Sequence, residues 1–269
     1  MTLPPSGFLR IGDANLEYRM IGPSPQEAPT IVMLHEGLGS AALWGDFPEK
    51  LQQATGAGVF VYSRAGYGNS SPVALPPRPL HYMHREALVV LPKLLAQIGF
   101  KRGILVGHSD GASIAAIYAG GVQDYRIRAI ALIAPHFIVE DVSVTSIAEI
   151  KTAYETANLR EKLARWHKHV DNAFYGWNGA WLDQKFRSWD ISEYLAYIRV
   201  PVAIIQGADD QYGTLRQVEI AREECYCPVD VTILATGHSP HREAPGATLN
   251  AISDFANAVL HTHEEGRAA

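Results

Sequence analysis

Along the chain, short runs of β-branched and other apolar residues alternate with longer stretches whose apolar positions recur at helical spacing. That alternation predicts an α/β fold, a mostly parallel sheet with helices on both faces. The opening differs. Residues 8–11 and 16–21 alternate apolar and polar positions around Gly12-Asp13-Ala14-Asn15, which predicts an antiparallel hairpin. Beyond Pro23, Pro25 and Pro29 the pattern predicts a strand over 30–34, a helix over 42–54, a strand over 58–62 and a proline-rich loop over 70–79. A helix over 82–98 follows, with a kink expected at Pro92, then a strand over 103–106, a helix over 112–120 and a strand over 127–134. Between Asp110 and Asp124 there is no charged residue, so that helix is expected to be buried on most sides.

From residue 138 to 199 the strand rhythm stops. Helical stretches over 147–156 and 160–170 take its place, and four of the five tryptophans fall here. This segment reads as an inserted helical cap, leaving 1–137 and 200–269 as one core. The strand rhythm resumes over 200–206 and 229–234, with helices over 214–224 and 247–260 and a polar tail.

Composition narrows the function classes. With 269 residues, 47% hydrophobic and 19% charged, the chain is neither disordered nor collagenous in character. A net charge of −5 leaves little for phosphate neutralisation, so nucleic acid is not an expected partner. No apolar run reaches membrane-spanning length, and the start MTLPPSGFLR lacks a basic region followed by an apolar one. No membrane association and a cytoplasmic location are therefore expected. Cys225 and Cys227 are too few for a disulfide framework or a thiolate zinc site and read as reduced thiols. The pairs His81/His84, His167/His169 and His261/His263 lack acidic or thiolate partners at ligand spacing, and Gly66-Tyr67-Gly68 lacks the spacing of a dinucleotide loop. Neither a metal nor a cofactor is expected. Asn69-Ser70-Ser71 is a glycosylation acceptor only in form, without an export signal.

The sharpest local signal is Gly107-His108-Ser109-Asp110-Gly111, a G-x-S-x-G sequence between a predicted strand and a predicted helix. On such a turn the serine takes a strained backbone conformation, and the small flanking residues let strand and helix approach. The Ser109 hydroxyl is then lifted above the sheet, and the Asp110 N–H at the helix start can bind a developing oxyanion. A serine hydroxyl is a weak nucleophile and needs a base with an orienting acid. Gly207-Ala208-Asp209-Asp210 and Thr236-Gly237-His238-Ser239-Pro240-His241 follow two predicted strands, and strand ends in an open parallel sheet converge on one edge.

These motifs, in the order Ser, Asp, His, resemble the α/β-hydrolase superfamily over residues 30–260. The resemblance implies an α/β-hydrolase fold and selects Asp210 over Asp209 as the acid and His238 over His241 as the base. Asp209, Glu140 and Asp141 are the fallback acids. It also implies a second oxyanion donor in His35-Glu36-Gly37-Leu38-Gly39-Ser40, with Gly37 at the matching position. Two departures stand out: Glu36 occupies a position usually held by glycine, and Ser63 in Ser63-Arg64-Ala65-Gly66-Tyr67-Gly68 replaces the usual aspartate. One expectation joins them, that the Glu36 carboxylate pairs with Arg64 and braces the oxyanion loop. Because a cap lies over an active site, Trp177 and Trp181 are expected to line the substrate pocket with Glu36 and His108; Trp166 and Trp189 are further candidates.

The implied function is that of a serine hydrolase acting on a small carboxylic ester, lactone or thioester through an acyl-enzyme, as monomer or homodimer, with a small-molecule substrate as its partner. Haloalkane dehalogenases and epoxide hydrolases of this superfamily use aspartate at the turn, so Ser109 disfavours both. The alternatives are a carbon-carbon bond hydrolase of ring-cleavage products, a menaquinone-pathway lyase needing an arginine cluster (Arg64, Arg160, Arg165, Arg187), and a non-catalytic ligand-binding relative.

Overall fold

The computed structural model describes residues 3–74 and 78–261. His263, the polar tail and part of the 70–79 loop lie outside the described residues. Eight strands form one sheet in the order β1-β2-β4-β3-β5-β6-β7-β8. The hairpin of β1 (Ser6–Ile11) and β2 (Ala14–Ile21) is antiparallel, and β2 runs antiparallel to β4 (Gly58–Tyr62). Its turn is tighter than the sequence predicts: Ile11 pairs with Ala14, leaving only Gly12 and Asp13 outside, with Gly12 at the positive φ such a turn requires.

The remaining pairings are parallel, through β3 (Thr30–Leu34), β5 (Gly103–His108), β6 (Ile127–Ile133), β7 (Val202–Gly207) and β8 (Val229–Leu234). Residues of β3, β4 and β5 are buried throughout, as strands covered on both faces must be. Strand β7 starts later than expected because Pro201 has no N–H for the ladder; the first donor is Val202, to Pro228 O.

Three predicted helices are subdivided. Residues 42–54 form a single 3₁₀ turn, Ala42–Trp44, and then α1 (Phe47–Thr55), separated by Gly45 at φ 59°. Residues 82–98 form α2 (Tyr82–Arg85), a π turn over Glu86–Val90 and α3 (Leu91–Gln97). Pro92 cannot donate to a carbonyl one turn back. The widened turn absorbs that loss and places the proline in the first turn of α3, where no donor is needed. The third is the 160–170 stretch, described below.

Helix α4 (Asp110–Gly121) follows β5 and is buried from Asp110 to Gly120. Helices α5 (Asp141–Thr156), α6 (Leu159–Ala164), α7 (Val170–Trp181) and α8 (Ser192–Leu195) make up most of 138–199, and α9 (Arg216–Glu224), α10 (Pro240–Glu243) and α11 (Pro245–His261) complete the chain. Period-2 alternation divides the core. Val32, Leu34, Phe60, Tyr62 and Leu105 face α4 and α7, whereas Ile31, Met33, Val59, Val61, Ile104 and Val106 face α1 and α11. No described helix is long and apolar enough to cross a membrane.

The break in 160–170 has a specific cause. The buried His167 ring accepts a hydrogen bond from Gly68 N at 3.0 Å and donates to Leu38 O at 2.9 Å. His167 N still bonds one turn back to Leu163 O, but Lys168 N leaves the helical ladder for Gly68 O at 2.9 Å, and the chain restarts as α7 at Val170.

Candidate active site

At the end of β5, Ser109 adopts φ 54° and ψ −118°, a conformation non-glycine residues avoid at a cost of roughly 1–3 kcal/mol. The turn closes because Gly107 and Gly111 carry no side chain: a Cβ on the first would collide with Gly111 backbone, and on the second with Leu34 O. Ser109 N donates to Ile133 O at 2.9 Å, and Ala112 N to Ser109 O at 2.8 Å. Helix α4 then begins with N–H groups that have no intrahelical acceptor.

Beyond β7 the chain turns around Asp210. Its Oδ1 accepts from Tyr212 N at 2.8 Å and Gly213 N at 3.2 Å, and its Oδ2 from Gln206 Nε2 at 2.9 Å. Beyond β8, His238 brings Nδ1 to 2.9 and 2.8 Å from the two oxygens. Burial works to raise the Asp210 carboxyl, but the His238 hydrogen bond and charge, with Tyr212 N–H, hold it below its usual range. An ionised carboxylate only accepts, so the proton of a neutral His238 sits on Nδ1 and leaves Nε2 with its lone pair. The fallback acids are elsewhere: Asp209 is exposed, Glu140 receives Thr214 and Gln217, and Asp141 pairs with Arg187 at the surface.

His108 ties this loop to the turn. Its Nε2 donates to His238 O at 2.8 Å, and the two rings lie 5.2 Å apart. With 1% of its side chain exposed, His108 is enclosed rather than facing a pocket as expected. His136 and Tyr212 flank the His238 ring at 5.5 and 4.7 Å, contacts nothing in the sequence pattern signals.

The third loop follows β3. Glu36 O accepts from His35 Nδ1 at 2.7 Å, Arg64 Nη2 at 2.8 Å and Gly39 N at 3.1 Å. Because the peptide is trans and planar, a carbonyl held inward turns the Gly37 N–H to the opposite side. Trp177 of α7 lies against Gly37 so closely that a Cβ there would strike its indole. Trp181 is 2% exposed, and its Nε1 lies 3.1 Å from Tyr82 Oη and 3.3 Å from Asp110 Oδ1, so its indole N–H is already engaged.

The expected Glu36–Arg64 carboxylate pair does not form. Arg64 meets the Glu36 main-chain carbonyl and, at 3.6 Å, the Asp110 carboxylate, while the Glu36 side chain turns to Arg242 and His108. The carboxylate missing at Ser63 comes instead from Glu17 on β2. Its Oε2 accepts from Ser63 Oγ at 2.8 Å and Asn69 N at 3.0 Å, and its Oε1 from Asn69 Nδ2 at 2.6 Å. Ser63 Oγ in turn accepts from Ala41 N at 2.9 Å, carrying the brace to the loop after β3.

Among the described residues no group of three or more His, Cys, Asp or Glu is placed to hold a metal ion. Two open cavities of about 600 and 620 Å³ lie at the opposite, amino-terminal ends of the strands, where Arg102, Arg126 and Arg128 contribute to their walls. They share no lining residue with this arrangement.

Similar proteins agree with the architecture. Epoxide hydrolase 3 of Xenopus tropicalis is 25% identical over 131 residues, 48% of this chain and 34% of its own length. Proline iminopeptidase of Lactobacillus delbrueckii subsp. lactis is 26% identical over 125 residues, 46% and 42% respectively. The match thus spans less than half the length of these curated relatives. Among solved structures, proline iminopeptidase of Mycobacterium smegmatis superposes with TM-score 0.74 at 17% identity, covering 97% of this chain and 99% of its own. The enol-lactonase of Burkholderia xenovorans gives 0.71 at 20% identity, covering 93% and 99%. At such identities the likeness shows the fold. The alpha/beta hydrolase family model matches residues 31–252, and the chain belongs to that family.

Proposed function

We propose that this alpha/beta hydrolase cleaves a small carboxylic ester, lactone or thioester by two-step acyl transfer, with Ser109 as nucleophile, His238 as general base and acid, and Asp210 as its orienting partner. The observation that carries the reading is the Asp210–His238 pair, clasped through His108 to a serine held at positive φ.

Ser109 Oγ attacks the carbonyl carbon as its proton passes to His238 Nε2. The Asp210 carboxylate favours the imidazolium that forms, without itself taking the proton. Negative charge gathers on the former carbonyl oxygen, for which the Gly37 and Asp110 N–H groups are the proposed donors; one such donor is worth roughly 3–4 kcal/mol of transition-state stabilisation. His238 then protonates the departing alkoxide, leaving an acyl-serine. Water repeats the sequence, giving its proton to His238, and the acid leaves as Ser109 regains its hydrogen.

Two features weigh against epoxide hydrolase and lyase chemistry. Serine rather than aspartate at 109 is unsuited to forming the ester intermediate of an epoxide hydrolase. The four arginines considered for a dicarboxylate lyase do not come together: Arg160 and Arg187 are bound to Asp171 and Asp141 at the surface, Arg165 is exposed, and Arg64 is buried. The test is Ser109→Ala assayed on p-nitrophenyl acetate. Turnover is expected to vanish with the fold unchanged by circular dichroism, and a fluorophosphonate probe is expected to label wild type alone. Undiminished turnover in the variant would overturn the assignment. A panel of esters, lactones and prolyl amides then sorts substrate class.

A further inference from the structure

None of the proposed steps uses the Glu36 carboxylate, although Glu36 immediately precedes Gly37. Its two oxygens face different loops. Oε1 lies 3.3 Å from Arg242 Nη2 on α10, and the same nitrogen reaches Leu43 O at 3.1 Å. Oε2 lies 3.5 Å from His108 Nδ1 and is folded so far under its own loop that a Cβ on Gly39 would strike it. His108 continues through Nε2 to the His238 carbonyl. The other titratable neighbours are His241, whose ring lies 4.7 Å from that of His108, His35, which donates to Glu36 O, and His167; burial holds all three below the ordinary imidazole value.

We propose that Glu36 is a positioning residue for acyl transfer, joining the loop of Gly37 to the turn of Ser109 through His108 and to the loop of His238 through Arg242. Three loops that follow three different strands must hold their places against one another, and a misplacement of about 1 Å between nucleophile, base and oxyanion donors costs on the order of a hundredfold in rate. A carboxylate so near an oxyanion would oppose the reaction if it stood alone. Here both oxygens are turned to nitrogen groups, and only 18% of the side chain is exposed. Although burial works to raise the Glu36 carboxyl, His108 and Arg242 hold it well below the usual carboxylate range.

The inference rests on the hydrolase reading, and its test separates the two. Wild type, Glu36→Ala and Glu36→Gln are compared for kcat and KM on p-nitrophenyl acetate and for the rate of inactivation by a fluorophosphonate. In Glu36→Ala kcat and the inactivation rate are expected to fall together by about tenfold or more, with KM within about twofold. Glu36→Gln keeps the shape and an acceptor for Arg242 and is expected to recover to within about threefold of wild type. If Glu36→Ala does not fold, Glu36→Gln decides alone, by a modest loss in kcat at constant KM. A rise in KM at constant kcat would make Glu36 a substrate contact and overturn the proposal, as would unchanged rates or no recovery by glutamine. Wild type that neither turns over ester nor takes the probe overturns the hydrolase reading and this inference with it; wild type that does both, beside an equally reactive alanine variant, overturns this inference alone.

Discussion

The two residues flanking Ser109 face opposite halves of the molecule, and the halves are built differently. Asp110, fully buried, accepts from Tyr82 Oη at 2.6 Å and Trp181 Nε1 at 3.3 Å and lies 3.6 Å from Arg64. Tyr62 and Glu86 extend this network by a 2.7 Å hydrogen bond. On the other flank His108 leads to His241 and Trp44, where both His241 ring nitrogens and Trp44 Nε1 are buried without a hydrogen-bond partner. One side anchors α2 and α7 to the turn with fixed charge, which moves only at great cost. The other holds His241, an imidazole kept neutral by burial and packed against aromatic rings rather than bound to fixed charge.

Removing the anchor should produce the largest change. Asp110→Ala leaves the Arg64 guanidinium, 2% exposed, without its carboxylate, and is expected to cost about 3–5 kcal/mol in urea unfolding. Wild-type stability in that variant would erase the contrast. Acid probes the buried imidazoles, His241 on that other side and His35 and His136 nearer the anchor. His35, His136 and His241 are held below the ordinary value of 6.5 first of all by burial, His136 down to about 3. The unfolded chain therefore binds protons before the folded one, so their contribution is fully present above pH 6.5 and is lost as pH falls towards the folded values. Melting temperature should decline steadily from pH 7 to pH 4.5; a flat profile would show that these rings ionise freely in the fold.

Smaller effects sharpen the same contrast. Trp181→Phe keeps the ring and removes a donor to Tyr82 and Asp110, with an expected loss of about 1–3 kcal/mol by denaturant titration. His241→Leu, which removes two unpartnered nitrogens from a ring packed against Trp44 and Phe47, should change stability by no more than about 1 kcal/mol at pH 7.5 and flatten the acid decline. A large loss at neutral pH would mean that this ring holds a partner the structure does not show.

Local pattern made the strands and the turn at Ser109 legible, because continuous apolar runs and a G-x-S-x-G sequence depend on near neighbours. The Asp210–His238 contact was legible too, since both residues follow strands whose ends meet at one edge. Contacts set by distant backbone paths were not. The Glu17 brace joins residues about fifty positions apart across an antiparallel pair, and the turn of Glu36 toward Arg242 spans the chain nearly end to end. The helix break at His167 was hidden for another reason: its ring satisfies two loop groups from other parts of the chain, and helical periodicity is blind to such demands.

The Glu17 brace has a practical corollary for where this chain can be cut. The stretch that matches the family begins at residue 31, and a truncated protein starting there would retain every strand of the parallel sheet. It would also strand Ser63 and Asn69 without their carboxylate and release the support that Ser63 passes to Ala41. The hairpin is thus no detachable ornament, and a truncation that keeps the Ser63 brace has to begin at or before β2.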